Sequence, residues 1–166
     1  IHSSVGVNLR PGGVDANGGL TEATSDRIVM GSNVGQIGDS AFFLSNAELA
    51  LIDTPELIIG SNLHAGAIQV LGGVSREGNL TLQNNGGTGG IDIQAALDVG
   101  DGTLALSSGG SITQTSAGVI SAHSLLAQAG GDVLLATALN DVANTTLAGS
   151  AGGDFEFQDA NTLAIG

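Results

Sequence analysis

The feature that most constrains this fold is a three-phase repeat of short, strand-like apolar runs in the second half of the chain. Each of the three sets recurs every 21–24 residues. The sets are Leu80, Leu104, Leu125 and Leu147; Ile91, Ile112, Val133 and Phe155; and Leu97, Val119, Val142 and Leu163. Three short strands at this period are typical of a β-solenoid, in which each coil pairs with the coils above and below it.

A β-sandwich is the competing interpretation, because many short strands at regular spacing also predict that fold. A sandwich has no reason to keep three sets of apolar positions in step over consecutive repeats. We therefore predict an all-β parallel β-helix with three short strands per coil. Right-handed crossovers are the rule for parallel strands, so we expect a right-handed coil.

Stacked aliphatic side chains have to fill the core, because aromatic residues make up only 2% of the chain. Aromatic side chains usually supply much of the buried area. Glycine pairs at 109–110, 130–131 and 152–153 keep the same period, each just before a strand of the second set. We expect these pairs at tight corners, where a positive φ requires glycine.

The first half of the chain follows the same pattern less regularly. Ser45 and Glu48 match a capping box, flanked by Leu44 and Leu49, and predict a short helical turn at about 46–51. We assign residues 1–166 to one domain. Residues 1–26 are its less regular start, a capping arm or a strand donated to a neighbour, and residues 27–166 form the regular coils.

A second-order repeat joins the two halves. Residues 53–60 (DTPELIIG) match residues 159–166 (DANTLAIG), and the alternation predicts a strand at 162–165. Dividing the chain length by the period predicts roughly eight coils.

Charge excludes two classes of partner. The net charge is −13, and the cationic side chains are Arg10, Arg27 and Arg76, with no lysine. Because nucleic-acid binding depends on clustered cations, we expect no nucleic-acid partner. The apolar runs are only a few residues long, against the roughly 20 needed to span a bilayer, so we expect no transmembrane segment. Cysteine is absent, which removes thiolate metal sites.

Two groups of residues are candidates for a calcium site. Residues 86–92 (GGTGGID) approach the nonapeptide motif G-G-x-G-x-D, which cages Ca²⁺ between coils, but Ile91 stands where the motif needs Asp. Asp92, Asp98 and Asp101 can lie together at one edge of a coil, although such side chains in an acidic protein usually just face water. We assign no metal ligand and keep these three aspartates as the weak calcium candidates.

No constellation of residues predicts catalysis. His2, His64 and His123 lack a metal-ligand spacing such as HExxH, and no G-x-S-x-G elbow is present. The chain has no Trp or Tyr and its Arg residues are scattered, so it lacks the side chains that usually bind sugars in glycan-cleaving enzymes. We predict no catalytic or cofactor-binding residue and no enzyme. A polysaccharide-degrading β-helix enzyme is the alternative.

The repeat segments resemble a known family. Residues 44–60, 66–70, 78–82, 110–114 and 146–157 resemble the repeat region of filamentous-haemagglutinin-like exoproteins. These are very large bacterial surface or secreted proteins, commonly exported by two-partner secretion. The resemblance implies a right-handed parallel β-helix and an extracellular or cell-surface location. It carries over no catalytic residue, because the shared motifs are core positions and corners.

Two structural roles are compatible with these patterns. The chain is expected to be a non-catalytic segment of an adhesin or exoprotein, either a rigid rod continued by adjacent coils of the same long chain or a subunit that stacks head to tail on neighbouring copies. A lateral face rich in Ser, Thr, Gln, Asn and Asp can also hydrogen-bond a host or matrix glycan. A glycan- or receptor-binding adhesin module is therefore the alternative.

Overall fold

The computed structural model describes residues 1–14, 16–17, 19–22, 24–32 and 41–161. The secondary-structure elements are, in chain order, β1 (Val7–Leu9), β2 (Gly12–Val14), β3 (Leu20–Glu22), β4 (Arg27–Met30), β5 (Ala41–Leu44), α1 (Asn46–Leu49), β6 (Glu56–Ser61), β7 (Ile68–Val70), β8 (Val74–Ser75), β9 (Asn79–Asn84), β10 (Ile91–Ile93), β11 (Leu97–Asp98), β12 (Thr103–Ser108), β13 (Ile112–Gln114), β14 (Ile120–Ala129), β15 (Val133–Ala151) and β16 (Phe155–Asp159). The predicted strand at 162–165 lies outside the described residues.

The strands stack in parallel into a β-solenoid of about five turns. Sheet one contains, in stacking order, β1, β6, β9, β12, residues 124–129 of β14 and residues 146–151 of β15. Sheet two contains β5, β4, β7, β10, β13, residues 133–135 of β15 and β16. A narrow third face contains β8, β11, residues 120–121 and residues 141–142.

Columns of like side chains form the core, because each inward position stacks on its equivalent in the next coil. In sheet one the column is Leu57, Leu80, Leu104, Leu125 and Leu147. In sheet two it is Ile28, Ile68, Ile91, Ile112 and Val133. The first two sets of the sequence repeat are thereby confirmed, and aliphatic stacking fills the core.

The third set of the sequence repeat is wrong in register. Leu97 stacks on Ile120, not on Val119. Val142 stacks on Ala122, in the neighbouring column. Leu163 lies outside the described residues. The strands of this face are only two residues long in β8 and β11, and so short a run does not fix the inward phase from sequence.

The described residues before β6 build an end structure that departs from the regular coil. β1 pairs with β6 of the same chain, β2 and β3 form an antiparallel hairpin, and β4 lies between β5 and β7. Sheet one and the third face repeat regularly from β6 onward, while in sheet two β4, which begins at Arg27, is already in register with β7. This difference explains why about five turns are present where length alone suggested about eight.

The predicted helical turn is confirmed as α1. The Ser45 hydroxyl accepts the Glu48 backbone N–H at 3.3 Å, and the Ser45 N–H donates to Glu48 Oε2 at 2.9 Å. The Ser45 backbone N–H, and after it the Ser45 hydroxyl, which donates to Glu48 Oε2 at 2.8 Å, lower the pKa of the Glu48 carboxyl. Leu44 and Leu49 are both buried, so the reciprocal cap fixes the path from sheet two to the third face.

The glycine pairs lie at corners for a different reason from the one expected. Positive φ is found at Gly31, Gly60, Gly78 and Gly100, and not at the periodic pairs. At Gly130, an added Cβ would lie within 3.0 Å of the Gly109 carbonyl oxygen in the coil below. The positive-φ expectation for the pairs is wrong, since close axial approach of the backbones is what excludes a side chain.

Candidate functional sites

The three calcium candidates lie on different parts of the coil. Asp92 is on sheet two, where its carboxylate accepts hydrogen bonds from the Gln94 amide and the Thr113 hydroxyl. Asp98 is on the third face and accepts the Gly100 N–H at 2.9 Å, and Asp101 is exposed in the turn that follows. In the part of the chain that the structure describes, no group of three His, Asp or Glu side chains is arranged to hold a metal ion.

The glycine-rich corner at 86–92 is held together by the side chain of Asn84. The Asn84 Nδ2 group donates to the carbonyl oxygens of Gly66 and Gly89, at 2.9 and 2.8 Å. The Ser108 hydroxyl donates to the Gly89 oxygen as well, at 3.0 Å. A calcium cage would need such carbonyl oxygens as ligands, but here protein donors already occupy them.

The sequence analysis did not predict a buried polar column beside this corner. The column consists of the last residues of three consecutive sheet-one strands, which stack on one another and are all buried: Ser61, Asn84 and Ser108. Their recurrence at the last position of each strand was the available signal. A buried side chain that bonds a corner's backbone carbonyls pins the turn from sheet one into sheet two.

The three histidines are in unrelated environments. His2 Nδ1 lies 2.9 Å from Asp53 Oδ2 at the exposed N-terminal end. His123 is half-buried on β14. His64 is fully buried, and among the described residues neither ring nitrogen has a hydrogen-bond partner. Burial lowers the pKa of His64, opposed in part by the negative charges of Glu22 and Asp26.

We expect His64 to make the fold sensitive to mild acid. Its pKa in the folded protein is below the unfolded value of 6.5, so the unfolded chain binds the proton more readily and stability falls as the pH drops below 6.5. Thermal midpoints measured between pH 7.5 and 5.0 should fall in the wild type. The decline over this range should be smaller in His64→Leu and unchanged in the control His2→Gln. Parallel curves for wild type and His64→Leu would contradict the assignment.

A cleft of about 350 Å³ lies between α1 and the third face. Its polar wall includes Thr54, Ser75 and Arg76. The Arg76 guanidinium donates to the carbonyl oxygens of Thr54 and Asn79, and burial lowers its pKa. The two acceptors lie in the backbones of two adjoining coils, so the Arg76 side chain links these coils.

The N-terminal end of the solenoid carries a second opening, which we call the end groove. It has a volume of about 380 Å³ and is lined mainly by apolar side chains, including Leu9, Phe42, Phe43 and Leu51. Leu51 is 70% exposed. Because large apolar side chains are exposed to water there, the end groove is a better candidate for a protein-binding surface than the polar clusters described above.

These features define the class of the protein as a parallel β-solenoid in which buried polar side chains such as Asn84 and Ser108 bind the backbone of a corner. No protein-family model matches the chain, and neither a curated protein nor a solved structure matches it. Within the described part of the chain, no helix has the length and apolar character needed to cross a bilayer.

Proposed function

We propose that this chain is a non-catalytic structural segment of a secreted or cell-surface bacterial exoprotein, in which it acts as a stiff rod. The observation that carries the proposal is the unbroken stacking of equivalent positions through all regular coils, in sheet one and sheet two alike. The resemblance of the repeats to filamentous-haemagglutinin-like exoproteins supports the extracellular location.

Stiffness follows from the direction of the hydrogen bonds. In a parallel solenoid they run along the long axis, so bending or stretching the rod strains many of them at once. One inner residue of sheet two donates to the next coil at every step, as in Ile68 to Gly90 at 3.0 Å and Ile91 to Ser111 at 3.0 Å. The seven described strands of sheet two span about 29 Å at roughly 4.8 Å per step.

A spin-label distance measurement tests the rod directly. The chain has no cysteine, so Asn8→Cys and Ser150→Cys, both exposed and in sheet one, can be labelled without further changes. The two positions are five strand spacings apart, about 24 Å along the axis. We expect one narrow distance distribution near this value, unchanged by proteinase K treatment that degrades unfolded chains.

The control is the same labelled pair in concentrated guanidinium, which should give a broad distribution. A broad distribution in native buffer, or rapid cleavage between the labels, would mean that the segment is too flexible for a rod and would overturn the proposal.

A further inference from the structure

All four phenylalanines of the chain lie at the two ends of sheet two. Phe42 and Phe43 are on β5, and Phe155 and Phe157 are on β16. In the described residues each of these strands has a partner on one side only. Successive registers place Phe42 and Phe155 at the two ends of the same inner column. The aromatic residues are therefore absent from the middle of the rod and concentrated where it could meet another.

From this arrangement we propose that a second copy of the chain stacks head to tail on the first, with β5 of one copy adding in parallel to β16 of the other. The inference deepens the proposed function and rests on it, because it names the partner of the rod as another rod. In this arrangement Phe155 lies against Phe42 at the mouth of the end groove.

The backbone hydrogen bonds of sheet two predict the pairing. Each inner residue donates its N–H to the corner residue of the next coil, as in Ile112 to Asp132 and Val133 to Asp154, both at 2.8 Å. The next donor in this series is Phe155, at the C-terminal edge. In β5 the equivalent corner residue is Ala41, because it pairs with Arg27 and is followed by Phe42, which pairs with Ile28 of the inner column. The Ala41 carbonyl oxygen is therefore the matching acceptor.

The corner side chains provide a second, independent match. The Ser111 hydroxyl accepts the Asp132 N–H at 3.0 Å, and Asp132 Oδ1 accepts the Asp154 N–H at 2.9 Å. Each corner side chain thus binds the backbone N–H of the same position one coil further on. Asp154 is exposed and is the last described member of this series. In the stacked pair its carboxylate accepts the Ala41 N–H of the second copy.

Edge strands that must stay single usually carry a charge or a proline. β5 reads Ala-Phe-Phe-Leu and has neither. β16 carries Glu156 and Asp159, but its Phe155 leaves 39% of its surface exposed.

Sedimentation velocity over a concentration series, with negative-stain electron microscopy, tests the stacking. The net charge of −13 repels like copies at low salt, so the experiment is run at 0.15 M salt, where the screening length is about 8 Å. We expect association that grows with concentration and end-to-end filaments with an axial repeat of about 34 Å, seven strand spacings.

Asp154→Lys removes the corner acceptor and should weaken association at least tenfold. Asp101→Lys makes the same charge change at an exposed turn in the middle of the rod and should leave association unweakened. Ala41→Pro, which removes the edge N–H, is the second variant, and circular dichroism checks that each variant folds. Discrete monomers at every concentration would overturn the stacking, as would equal effects of Asp154→Lys and Asp101→Lys. Either result leaves the spin-label test of the rod untouched.

Discussion

Replacing Leu125 by Asp is expected to unfold the solenoid or to cost several kcal/mol of stability. Leu125 is 1% exposed and lies in the sheet-one column between Leu104 and Leu147. A carboxylate there has no partner and either stays charged in an apolar core or takes up a proton at a cost. Since folded domains are stable by only about 5–15 kcal/mol, the loss should be visible in urea unfolding followed by circular dichroism.

Gln128→Asp is the matched control for Leu125→Asp. It adds the same charge three residues further along the same strand, but Gln128 is exposed on the outer face. We expect its free energy of unfolding to change by no more than about 0.5 kcal/mol. If both variants lowered stability equally, the inward and outward faces of sheet one would have been assigned wrongly.

Sequence periodicity predicted the long strands of sheets one and two because burial there is strictly periodic. Leu80 and Ile91 each repeat on every following coil, and a single shift of register would expose a whole column. The prediction for the third face was wrong by one residue at Val119, because the strands there are too short to show alternation. The pairing before β6 was not predicted either, because β4 and β5 pair outside the sequential order of the coils.

The functional surfaces were harder to predict than the core. The sequence indicates Asp92 as a calcium candidate, yet its carboxylate accepts hydrogen bonds from the Gln94 and Thr113 side chains of the same rod. The polar column of Asn84 and the buried ring of His64, which has no hydrogen-bond partner among the described residues, carry no motif, because their roles depend on which corner backbone lies beside them. Composition gave the number of phenylalanines, but only the stacking order places all of them at the two ends.

Gly130→Ala is expected to destabilise the protein by about 1–3 kcal/mol, the range for overpacking. The added Cβ would lie within 3.0 Å of the Gly109 carbonyl oxygen. A backbone carbonyl cannot rotate away as a side chain can, so a whole coil has to shift. The control is Gly73→Ala, whose Cβ would meet its nearest neighbour, the Ala96 oxygen, at 3.8 Å. That variant should be neutral or stabilising by up to about 1 kcal/mol, because Ala restricts the unfolded chain.

The corner glycines form a continuous series, and this gives the prediction a sharper form. The Cβ position of Gly152 is blocked by Gly130, that of Gly130 by Gly109, and that of Gly109 by Gly87. The alanine at position 109 forces its coil away from Gly87, and that movement narrows the gap between Gly109 and Gly130 that the second alanine needs. The double variant Gly109→Ala/Gly130→Ala should therefore lose more stability than the sum of the two single losses. Urea unfolding of the four proteins in this cycle measures the difference, and strict additivity would show that each corner adjusts alone and that the coils are not rigidly coupled along the axis.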